Sequence, residues 1–85
     1  MNETKEIVIE ILEELCGAQI EDVTMTLLGD LALDSLRMVT LLLMLEDSFE
    51  IELDESDMNP FQLLTVEDVI HLASKYTDQK EGNHG

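Results

Sequence analysis

Residues 36–49 run without a glycine or a proline, are apolar at most positions, and follow directly on Asp34-Ser35. Asp and Ser are favoured at helix starts because a side-chain oxygen there accepts from backbone N–H groups that have no intrahelical partner. The segment therefore reads as a helix over about 35–49, and its apolar residues fall on more than one side. Val39, Leu41, Leu42, Leu45 and Phe49 are assigned to a core. Leu36, Thr40, Leu43, Met44 and Asp47, at i, i+4, i+7, i+8 and i+11, lie along the other side. A helix of this kind is either buried all round at the centre of a bundle, or it keeps an exposed apolar stripe for a partner. Leu36 sits in the first turn beside a solvent-facing serine and is hard to bury, which favours the stripe, flanked by Glu46 and Asp47.

What this helix packs against follows from the rest of the chain. Over residues 3–16, Ile7, Val8, Ile11, Leu12 and Leu15 form a stripe of helical period; Asn2 or Thr4 can cap its start and Gly17 its end. Residues 18–34 lose the period, and Ile20, Val23, Leu27, Leu28, Leu31 and Leu33 read as anchors of a long loop laid over the bundle. Residues 50–57 read as a loop held by Ile51 and Leu53. One short helical turn is expected at 58–64, with Pro60 at its first position. Thr65-Val66-Glu67-Asp68 is a capping-box-like start, and Val66, Val69, Ile70, Ala73 and Tyr76 then give a last helix ending near Tyr76. The expected fold is all-α: a small four-helix bundle of three main helices and one short one, with a long loop between helices one and two. A domain over 1–77 and a disordered polar tail over 78–85 complete it.

Charge narrows the function. Twenty acids against four bases leave a formal charge of −16. Nucleic acid and anionic membranes are excluded as partners on that ground, whereas basic patches on other proteins are attracted. No apolar run approaches the ~20 residues of a membrane span, and the N-terminus has no signal-peptide pattern, so a cytoplasmic monomer is expected. Cys16, alone in the chain, reads as a small packing residue.

Catalysis finds little footing. Ser35 lacks a G-x-S-x-G elbow, and neither His71 nor His84 is marked as its base or has a ligand-spaced partner for a metal. A calcium loop starting at Asp54 would need Gly at 59 and Glu at 65, where the chain has Asn59 and Thr65. A hydroxyl at position 35, by contrast, lies beside free N–H donors at the positive end of a helix dipole. A phosphate ester there gains roughly 0.3–1 kcal/mol.

Leu28, Leu31-Ala32-Leu33-Asp34-Ser35-Leu36 and the helix ending Leu45-Glu46-Asp47-Ser48-Phe49 resemble the acyl carrier protein family, whose motif is commonly written L-G-x-D-S-L. The resemblance extends from about residue 7 to 76. Ala32 stands where the family usually has Gly, a departure that bears on any positive φ at that position. The resemblance implies 4′-phosphopantetheine on Ser35, transferred from coenzyme A by a phosphopantetheinyl transferase. It implies a thiol arm that holds acyl or aminoacyl groups as thioesters, with loading and condensing enzymes as partners, in fatty acid, polyketide or nonribosomal peptide synthesis. Asp34 matches the family residue that helps orient the modified serine, and Leu36 the apolar residue that meets partner enzymes. Arg37 and Thr40 replace acids of the fatty-acid type, so the chain looks closer to free-standing polyketide or nonribosomal-peptide carriers. The partner-facing set is then Leu36, Arg37, Thr40, Leu43, Met44, Glu46 and Asp47. An acidic helical interaction module without a prosthetic group is the alternative.

Overall fold

Three amphipathic segments of this length bury their apolar stripes only against one another, and they do so here. A computed structural model describes residues 3–59 and 62–82, with side chains as far as Thr77. Its α-helices are α1 (Glu3–Cys16), α2 (Ser35–Phe49) and α3 (Val66–Gly82), with a 3₁₀ turn at Glu55–Asp57. α1 packs against both α2 and α3, which touch each other less. Among the described residues there is no strand, and a single isolated antiparallel bridge joins Thr26 to Thr65.

The core is aliphatic, as a sequence this poor in aromatics requires. Val8, Ile11 and Leu12 come from α1, Met38, Leu41, Leu42 and Leu45 from α2, and Val66, Val69, Ala73 and Tyr76 from α3. Leu27, Leu31 and Leu33 of the long loop, with Leu53 and Leu63 of the second connection, close it.

Several expectations are corrected. Val39 is 44% exposed and Phe49 only partly buried, while Met38 takes the core position. Asp34 supplies the non-helical cap residue, so the helical count starts at Ser35 and Met38 sits inward, one full turn before Leu41 and Leu42. Leu28 is 55% exposed and does not anchor the loop. A 3₁₀ turn falls at Glu55–Asp57, inside the stretch expected to be plain loop; the turn expected at 58–64 is present as far as the described residues show, with Gln62 N–H on the Asn59 carbonyl at 3.1 Å, while Pro60 and Phe61 lie outside them. α3 runs on to Gly82 instead of ending near Tyr76. Residues 83–85, His84 with them, lie outside the described residues, as does Asn2; Thr4 is inside α1.

Other expectations hold. Gly17 ends α1 with φ 70°, its N–H reaching the Glu13 carbonyl at 2.8 Å. Cys16 is half-buried against the core. The α3 start is a reciprocal capping box. Asp68 N–H donates to Thr65 Oγ1 (3.3 Å) and Thr65 N–H to Asp68 Oδ2 (3.1 Å).

Candidate functional site

Leu33 and Met38 are both buried, and the four residues between them, Asp34 to Arg37, are all exposed. The site is thus a short arch pinned at both feet by apolar side chains. Leu33 N–H donates to the Leu27 carbonyl (2.9 Å), which fixes the incoming foot to the loop. Asp34, in an extended conformation, caps α2: its Oδ1 accepts from Arg37 N–H at 2.8 Å and its carbonyl from Met38 N–H at 2.9 Å. Asp34 is therefore the cap, which frees the hydroxyl of Ser35 from that role. No hydrogen bond among the described residues takes up the Ser35 hydroxyl or the N–H groups of Ser35 and Leu36. An exposed nucleophile with two open donors beside it, at the positive end of a helix, suits a phosphate ester.

The loop makes this arrangement with an unusual residue. Ala32 has φ 54°, a left-handed conformation that costs a residue with a Cβ roughly 1–2 kcal/mol. A glycine would adopt this backbone without that cost, but the chain has Ala32 here. The conformation lets Leu31 and Leu33 both turn inward on either side of exposed Ala32.

Down α2 the outward face carries Leu36 (79% exposed), Val39, Thr40, Leu43 (52% exposed) and Asp47. Arg37 is exposed beside them, and Thr40 turns its hydroxyl back onto the Leu36 carbonyl (3.0 Å). Two residues assigned to this face do other work. Met44 packs partly into the core. Glu46 is half-buried, its carboxylate accepting Leu53 N–H at 2.8 Å, so it ties the second connection to α2. Val39 belongs to the stripe, and the sequence carried the signal for it: i+3 from Leu36 and i−4 from Leu43.

Away from the arch, three carboxyls are held below their ordinary range, Asp22 among them through the N–H and hydroxyl of Thr24. N–H groups of Leu64 and Thr65 do this to Asp68. The Tyr76 hydroxyl, aided by Lys75, does it to Asp57, which joins the 3₁₀ turn to α3. Burial and the same bond push the Tyr76 phenol up.

The model of the family described as "Phosphopantetheine attachment site" matches residues 6–73. The chain belongs to that family. An acyl carrier protein of Desulforapulum autotrophicum is 39% identical over 67 residues, covering 76% of this chain and 84% of the relative. The protein is a phosphopantetheine-bearing carrier, with 4′-phosphopantetheine as its covalent prosthetic group, and it carries groups for biosynthetic enzymes without being an enzyme itself. When bound, the group supplies the thiol on which thioesters form. No helix among the described residues is long and apolar enough to cross a membrane.

Proposed function

We propose that Ser35 Oγ is the attachment point, and that Asp34 and Leu36 set its orientation and its first contact with partners. The observation that carries this is the arch: an exposed, unpartnered hydroxyl between two buried anchors, with two open N–H donors. In the loading step the serine oxygen bonds to the pantetheine-bearing phosphorus of coenzyme A. The pyrophosphate P–O bond breaks, the adenosine bisphosphate leaves, and the serine proton passes to the transferase. The product is a phosphodiester with one negative charge. The other exposed hydroxyls among the described residues are less suited: Thr24 Oγ1 is tied to Asp22 (2.9 Å), Thr26 Oγ1 accepts Asp30 N–H (3.0 Å), Thr40 Oγ1 donates to the Leu36 carbonyl (3.0 Å), Ser48 lies in the last turn of α2, and Ser56 lies within the 3₁₀ turn.

The docking face is Leu36, Arg37, Val39, Thr40, Leu43 and Asp47, with Met44 and Glu46 supporting it from the core side. Its partners are a phosphopantetheinyl transferase and then loading and condensing enzymes of polyketide or nonribosomal peptide type. The cargo is an acyl or aminoacyl thioester, carried by a cytoplasmic monomer. Arg37 supports that subclass, because a guanidinium at the first turn repels a basic docking patch and selects an acidic one. Tyr76 is the last buried residue among those described, which supports a carrier domain over 1–77, and the Gln62 N–H on the Asn59 carbonyl (3.1 Å) supports a short helical piece in the second connection as the fourth of the bundle.

Intact mass after incubation with coenzyme A and a broad-specificity phosphopantetheinyl transferase tests the attachment. One added phosphopantetheine is expected, lost completely in Ser35→Ala while circular dichroism keeps its helical signal. No mass gain with a transferase proven active would instead favour the acidic interaction module. For Arg37→Glu, turnover with a partner presenting a basic patch should rise about fivefold, a charge reversal of about 1 kcal/mol, with folding unchanged. Equal turnover across several synthases would make Arg37 a solvated surface residue.

A further inference from the structure

The loop leading to Ser35 is held from the far side by the start of α3, through one peptide unit. Thr65 N–H donates to Asp68 Oδ2 at 3.1 Å, and the carbonyl of that same peptide, on Leu64, accepts Leu27 N–H at 2.9 Å. The Leu27 amide belongs in turn to the peptide whose carbonyl, on Thr26, accepts Leu31 N–H at 3.0 Å, and the Leu27 carbonyl accepts Leu33 N–H at 2.9 Å. A carboxylate on the N–H of a peptide strengthens the bond its carbonyl accepts, so the members of such a chain support one another. Asp68 Oδ2 also accepts Leu64 N–H at 2.9 Å, which fixes the unit at both ends. Two further contacts run the same way: Val66 N–H to the Met25 carbonyl (3.1 Å) and Glu67 N–H to the Val23 carbonyl (2.9 Å). The first N–H groups of α3 thereby find their partners on the loop.

We propose that Asp68, which touches neither Ser35 nor its arch, is a positioning residue for the Ser35 hydroxyl, acting through the 64–65 peptide and Leu27 on Leu31 and Leu33. The functional half of this rests on Ser35 being the attachment point; the structural half does not. Loosening the chain lets the 27–33 loop sample other positions. A transferase that needs one position then sees a smaller competent fraction, which raises KM for the carrier and leaves kcat alone.

Amide hydrogen exchange on the full chain, wild type against Asp68→Ala and Asp68→Asn, tests the structural half. In Asp68→Ala the amides of Leu27 and Leu33 are expected to exchange about tenfold faster relative to Leu12 in α1 and Leu41 in α2, the equivalent of a lost charge-assisted bond. Asp68→Asn keeps an acceptor oxygen and should recover most of that protection. In the loading reaction, KM for the Ala variant should rise about three- to tenfold with kcat within about twofold. Acceleration confined to Leu64 and Thr65, or spread equally to Leu12 and Leu41, overturns the proposal, as does a kcat that falls with KM unchanged. If Asp68→Ala does not fold, the Asn variant decides by the same ordering of amides: Leu27 and Leu33 ahead of Leu12 and Leu41 supports the chain, and uniform change overturns it. A wild-type protein that takes no phosphopantetheine removes the Ser35 assignment, while the exchange pattern still judges the relay.

Discussion

The starts of α2 and α3 use the same cap chemistry to opposite ends. At α3 the first donors are all taken, by Asp68, Thr65 and the carbonyls of Met25 and Val23. At α2 Asp34 takes one donor through its side chain, and the N–H groups of Ser35 and Leu36 stay open. A helix start closed by the protein's own backbone is a joint. One left open beside an exposed hydroxyl can receive a phosphate. The contrast shows why a cap residue in a sequence says so little by itself: what the neighbouring chain brings to the remaining donors decides its use.

The sharpest way to break the comparison is to remove each cap. Asp68→Ala should destabilise by about 2 kcal/mol, since it strands the Leu64 and Thr65 donors and the loop bound through them. Asp34→Ala should cost only about 1 kcal/mol, an ordinary cap loss at a solvated start. Urea melts of both variants measure this, and equal losses would erase the distinction between joint and open end.

A smaller effect of opposite sign is expected between the two helices. Ala32→Gly relieves the left-handed strain, partly offset by the extra freedom glycine gives the unfolded chain, for a net gain of about 0.5–1 kcal/mol. A loss in the same melt would mean that the Ala32 methyl contributes packing that outweighs the strain.

The smallest effect is in acid. Asp68 has a folded pKa below its unfolded value of 3.8, so the folded state binds fewer protons there. Its contribution is whole above 3.8 and is lost as pH falls through the folded pKa. Asp57 has the same sign through Tyr76. Acidification also relieves the repulsion of a −16 chain, which works the other way. The difference between wild type and Asp68→Asn isolates the carboxyl: the gap in stability should narrow below 3.8. A gap constant down to strong acid would show that the Asp68 charge is unimportant to the joint.

Much of this was legible beforehand, and the parts that were not share a cause. Helical period placed α1 and most of α2, and Thr65 to Asp68 announced a capping box, because these depend on residues three and four apart. The run Leu33-Asp34-Ser35-Leu36 marked the candidate site. Periodicity put Val39 inside and left Met38 unassigned, since a helix apolar on several sides has no unique inward face until its neighbours are in place. Glu46 read as a docking acid, but its partner is the N–H of Leu53, seven residues on and across a turn. The end of α3 was placed too early, where the apolar stripe stops, although helical backbone continues through polar residues to Gly82.

The order of amino acids alone determined an all-helical, aliphatic, strongly acidic domain with a serine at the mouth of its second helix, because composition and spacing are local properties; that it is a carrier came from its resemblance to a family. Only the tertiary structure decided which of two similar helix starts is sealed and which is open. That depends on where residues 23–33 come to lie against residues 64–67, a meeting of segments more than thirty residues apart that no local pattern encodes.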